Sequence, residues 1–142
     1  MDKPQFVYVT YIETTADKAW EALTSGDFTE QYWGGGRIES DWQVGSPVRH
    51  VKHERGLDFE GEVLEVDPPR RLSYTMTAGK DDQPSRVAFT LEPHGSIVKL
   101  TVTHDQLDEK GLRDISFGWP AILSSLKSLL ETGRPLNYER WW

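Results

Sequence analysis

Apolar positions late in the chain recur at helical spacing. Trp119, Ile122, Leu123, Leu126, Leu129 and Leu130 follow at i, i+3, i+4, i+7, i+10 and i+11, on one face of a helix through FGWPAILSSLKSLLETG. Ser124, Ser125, Lys127, Ser128 and Glu131 take the other face. Gly133 stands where a left-handed C-terminal cap is expected, and Pro135 follows where a helix cannot continue. Pro120 has no N–H, so the helix either starts near Ser116 or bends there. A helix of this length is marginal alone in water, and its stripe must lie against another element.

The rest of the chain supplies that element. QFVYVTYI, from Gln5 to Ile12, is β-branched and aromatic and predicts a strand. Thr15 then opens a short helix with Ala16, Ala19, Trp20 and Leu23 on one face, ending before Gly26. Asp27 begins a second helical piece, DFTEQYW, which Gly34, Gly35 and Gly36 terminate. Six period-two or β-rich segments follow: Arg37 to Trp42, Val48 to His53, Phe59 to Val66, Arg71 to Thr77, Arg86 to Leu91 and Ile97 to His104. Turn clusters separate them, and short connections make them antiparallel neighbours. Within the third, Phe59, Gly61 and Val63 share one parity while Leu64 and Val66 share the other, so a bulge falls between them. The expectation is an α+β fold: a curved antiparallel sheet, two short helices after its first strand, and the long C-terminal helix across the concave face.

Composition narrows the class. The 142 residues fit a single domain spanning 1–142. There is no cysteine, so disulfides, thiolate metal sites and a cysteine nucleophile are excluded. No signal-peptide pattern and no apolar run of about 18 residues is present, so a cytoplasmic protein without membrane attachment is expected. A net charge of −7 argues against a nucleic-acid partner, where affinity comes chiefly from Lys and Arg. Six tryptophans are many for this length, and fit either a lined cavity or core packing.

Chemistry-bearing motifs are few. His50 and His53 lie three apart on one strand, hence on opposite faces, and cannot share a metal from that strand alone; His94 falls in a turn. His104 shares parity with Val98, Leu100 and Val102 and is the best single candidate for a polar group inside, either as a catalytic base or as a core histidine held by a backbone carbonyl. Asp58, Glu60 and Glu62 alternate along one face, opposite Phe59, Gly61 and Val63, and are expected in solvent. There is no nucleophile elbow, phosphate loop or dinucleotide fingerprint, and no cofactor is expected.

The element order resembles the helix-grip fold of the START and pollen-allergen type superfamily, SRPBCC. GEVLEVDPPRRLSYT, VKLTVTH and above all GWPAILSSLKSLLETGRPL resemble the family named for the activator of the heat-shock-protein-90 ATPase, over essentially the whole chain. The resemblance implies an apolar cavity between sheet and helix, lined by Trp119, Leu123 and Leu126 from the helix and by Tyr74, Met76, Phe89, Leu100 and Val102 from strands. Trp33 and Trp42 are candidates for its mouth and His104 for its polar group. The expected function is binding of a small, mostly apolar molecule by a monomer or homodimer. The alternatives are an enzyme of cyclase, dehydratase or hydrolase type using His104, and a domain that interacts with a chaperone ATPase.

Overall fold

In a computed structural model, described over residues 5–52, 56–77 and 83–136, β1 (Phe6–Ile12) leads into α1 (Ala16–Thr24) and α2 (Gly26–Tyr32). There follow β2 (Gly36–Glu39), β3 (Pro47–Lys52), β4 (Gly56–Asp67), β5 (Arg71–Met76), β6 (Ser85–His94), β7 (Ile97–Asp105) and the long α3 (Glu109–Thr132). The strands form one seven-stranded sheet in the order β1-β7-β6-β5-β4-β3-β2, every pairing antiparallel. The sheet curls into a half-barrel with α3 inside it, the helix-grip arrangement.

Curvature has local causes. The β4–β5 register shifts between Val63 and Glu65, leaving Leu64 as the extra residue on the outside, where the change of parity placed the bulge. A second shift falls in β3 between His50 and Val51. Thr15 caps α1, its Oγ1 accepting from Lys18 N at 3.2 Å. Gly34 and Gly35 turn the chain out of α2 with φ of +58° and +82°. Gly36 is required for space instead: a Cβ there would stand 1.8 Å from His50 Nε2.

Three expectations change. The strand predicted as far as Trp42 ends at Glu39, because Trp42 adopts φ +55° and leaves the sheet. The long helix begins well before Ser116, at Glu109, because Asp108 caps it by accepting from Gly111 N at 2.7 Å; Pro120 therefore lies inside it. Ser125, assigned to the polar face, is fully buried, its Oγ accepting from Leu136 N at 3.1 Å where the chain returns past Gly133.

The core fills the concave side. Val63, Leu72, Tyr74, Val87, Phe89, Leu91, Val98, Leu100 and Val102 point inward from the strands and meet Trp119, Ile122, Leu123, Leu126 and Leu129 of α3. Lys127 Nζ donates to the Tyr11 carbonyl and pairs with Glu131 at 2.6 Å, while Glu131 accepts from Glu13 N at 2.8 Å, fastening α3 to the end of β1. Glu60, Glu62 and His94 are exposed; His53 and the Asp58 side chain lie outside the described residues. Among the described residues no helix is long and apolar enough to cross a membrane.

Candidate functional site

Register brings inward-facing side chains into transverse rows. Val63, Tyr74, Val87 and His104 stand directly opposite one another across β4, β5, β6 and β7, and Leu72, Phe89 and Val102 form the neighbouring row. Trp119 descends from α3 onto both rows, its ring centre 5.7 Å from Phe89 and 6.0 Å from His104. From there the rings continue in two directions. Toward β3, Trp33 lies 5.2 Å from Trp119 and 5.4 Å from His50, which lies 4.8 Å from Phe59. Toward α1, Tyr74 lies 5.9 Å from Phe89 and 5.9 Å from Trp42. Tilted and edge-on geometries dominate, as ring quadrupoles favour.

The polar atoms inside this run are nearly all committed. Trp119 Nε1 can only donate, and it points at His104 Nδ1 at 3.0 Å; Nδ1 must therefore be the accepting nitrogen. The imidazole proton then sits on Nε2 and is given to Ser85 Oγ at 2.7 Å, and Ser85 passes its own to the Met76 carbonyl at 3.3 Å. Protonating His104 would turn two donors against each other, and burial pushes its pKa from 6.5 down to about 4, against a smaller upward pull from Asp105. The partners are thus an indole and a hydroxyl where a backbone carbonyl was expected.

The C-terminal end of α1 collects two more donors. Tyr32 Oη donates to the Ala22 carbonyl at 2.7 Å, and Trp42 Nε1 to the Thr24 carbonyl at 2.7 Å. Trp42 N also donates to Ser40 Oγ at 3.0 Å, which holds this half-buried ring in its left-handed backbone conformation. Burial raises the phenol pKa values of both Tyr32 and Tyr74. Among the described residues no group of His, Cys, Asp or Glu could hold a metal ion.

A model of the family described as activator of Hsp90 ATPase homolog 1-like protein matches residues 13–131. The chain belongs to this family. The solved structures agree on the fold. An Aha1 dimer from Colwellia psychrerythraea superposes with a TM-score of 0.78 at 21% identity, covering 92% of this chain and 98% of that one. An HSP90 activator from Plasmodium falciparum gives 0.76 at 18%, covering 89% and 95%. The protein MLL2253 from Mesorhizobium loti gives 0.76 at 28%, covering 89% and 96%. No curated protein matches the chain.

The span matched to the activator family runs from the residue after β1 to the last turn of α3 and contains every ring of the run. Of the residues singled out from the sequence, Trp42, Tyr74, Phe89 and Trp119 form one chain of ring contacts, with Trp33 and His104 joined to it at Trp119. Leu100, Val102, Leu123 and Leu126 are buried around them, and Met76 is half-buried at the end of β5. The sequence reading missed His50, Phe59 and Tyr32. His50 carried a usable signal, since it shares parity with the buried Val48 just as His104 does with Val102. A separate open groove of about 490 Å³ lies on the convex face over Ser73, Ala88 and Thr103. Its arginines are spent on carboxylates, Arg71 on Glu65 at 2.7 Å and Arg86 on Asp105 at 2.6 Å.

Proposed function

We propose that this activator-family domain binds a small, mostly apolar molecule between the curled sheet and α3, along the run of rings from Trp42 to His50. One observation carries the reading. The backbone of α3 packs closely on β1, and toward the middle of the sheet the interface is spanned by large rings. Rings present broad apolar faces, and ligand sites are lined predominantly by such side chains. Trp42, half-buried at the outer end, offers the entrance.

The enzyme reading has less support. Both nitrogens of His104 are engaged, and its depressed pKa leaves it a neutral imidazole near pH 7, committed to holding α3 against β7. The family's description favours a second reading, stimulation of a heat-shock-protein-90 ATPase. Adding the purified domain to a heat-shock-protein-90 homologue separates the two. On the binding reading the ATPase rate stays at its basal value, and clear stimulation reverses the order.

Binding itself is tested by thermal unfolding and tryptophan fluorescence against fatty acids, sterols and aromatic polyketides. A ligand at a hundred times its Kd should stabilise the fold by about 2.7 kcal/mol and perturb the emission of Trp119 and its neighbours. If no member moves either signal, the rings are core and nothing more.

A further inference from the structure

β1 is one end of the sheet and pairs with β7 alone. In an antiparallel strand, alternate residues turn both backbone groups to the same side. Leu91 N donates to the Arg70 carbonyl at 2.8 Å, so the odd-numbered residues of β6 face β5 and Ala88, Thr90 and Glu92 face β7. Their partners Thr103, Thr101 and Lys99 therefore bond β6, and the residues opposite these in β1, Val7, Val9 and Tyr11, point out of the sheet. The contacts with α3 agree. Lys127 Nζ donates to the Tyr11 carbonyl and Glu131 accepts from Glu13 N at 2.8 Å, both on the side away from β7.

The same residues carry exposed apolar side chains: Val7 is 53% exposed, Val9 42% and Tyr11 50%. Edge strands are ordinarily blunted by brevity, charge, proline or a cover. The opposite edge, β2, is so treated, with four residues that include Arg37 and Glu39. β1, FVYVTYI, has seven residues and neither a charge nor a proline. Lys127 and Glu131 cover it at Tyr11 and Glu13; among the described residues nothing takes the outward groups of Val7 and Val9.

We propose that a second copy of this chain docks on β1, antiparallel about a twofold axis at Tyr8, so that Val7 of each copy pairs with Val9 of the other and the two sheets run on as one. Lys127 closes the register in which Val7 would need the partner's Tyr11 carbonyl. With the axis at Tyr8, the outward groups of Val7 and Val9 serve one another and each exposed valine covers the other. A net charge of −7 makes two copies repel in general, and this uncharged strand is a place where they can meet. An extended peptide would make the same few bonds only after being ordered, whereas a second copy brings a strand already held by its own β7. Each copy spends its β1 edge on the other, so the assembly closes as a dimer.

Sedimentation of the full chain at rising concentration should show monomer passing to dimer, and exchange of the Val7 and Val9 amide hydrogens should slow as dimer forms. Val9→Lys, which sets a charge on each side of the axis, should weaken association by about tenfold or more and leave the monomer's melting temperature unchanged. Val44→Lys, at a 70% exposed site between β2 and β3, should leave association unchanged. The chain has no cysteine, so Tyr8→Cys under mild oxidation should form an intermolecular disulfide across the axis. If that variant does not fold, the amide readout of the unaltered chain carries the test. A monomer at every concentration, association that survives Val9→Lys, or a folded and associating Tyr8→Cys chain without the cross-link would overturn the proposal. So would slowing of the two amides only on addition of an extended apolar peptide, which would give the edge to a foreign strand.

Discussion

His104 keeps its proton on Nε2 because the indole N–H of Trp119 leaves Nδ1 no role but acceptor. Burial of the His104 ring, against a smaller upward pull from Asp105, sets a pH dependence for the whole domain. Unfolded, the imidazole takes up a proton as the pH falls through its ordinary 6.5; folded, it resists until about 4. Stability is therefore complete above about pH 6.5 and declines as the pH drops from there toward 4, by roughly 3 kcal/mol in total. Glu131, held below the usual carboxylate range by Lys127 and the Glu13 N–H, loses its contribution only below its ordinary value, so the upper part of the window belongs to His104. Urea titrations between pH 7 and 5 should show this slope, and His104→Gln should flatten it. A slope unchanged in the variant would mean that another group is responsible. Parity alone turned His104 inward, but its partners lie 15 and 19 residues away along the chain, beyond the reach of any local pattern.

At the scale of elements, two glycines stand where neighbouring strands leave no room for a side chain. A methyl group at Gly36 would meet the His50 ring, whereas one at Gly61 would meet the Thr75 carbonyl oxygen at 1.7 Å. Gly36→Ala should cost about 1–3 kcal/mol, the scale of overpacking, and His50→Ala should recover much of that loss, because the obstruction is a side chain. Gly61→Ala should cost at least as much with no side-chain rescue, since the obstruction is backbone where β4 passes β5. Double-mutant cycles from denaturation midpoints decide between these outcomes. The sequence marked the Gly34–Gly36 run as a turn, which holds for Gly34 and Gly35. That Gly36 serves a different need depends on a histidine from the next strand, and strand register decides that approach.

For the whole molecule, α3 is the element that turns an open sheet into a closed body. Its buried stripe is continuous with the core reached by every strand from β4 to β7, so the helix and sheet should open together. Amide exchange through Leu123 to Leu129 should therefore match the slowest amides of β6 and β7. Leu126→Ala, at a site with no exposure, should cost about 2–5 kcal/mol and speed exchange in helix and sheet alike. Faster exchange confined to α3 would show the helix to be a separate, looser unit.

The sequence by itself determined the order of elements, the bulge at Leu64, the apolar stripe of α3 and its stop at Gly133. Each follows from rules that act within a few residues: alternation along a strand, helical periodicity, and the left-handed freedom of glycine. The tertiary structure alone decided that Trp42 swings out of the strand to donate to Thr24 and that Trp119 meets His104 Nδ1. Those outcomes depend on which distant groups arrive at the same point, and that is fixed by register and by the path of α3 over the curved sheet. A periodic pattern says which way a side chain faces; it carries no information about what stands opposite.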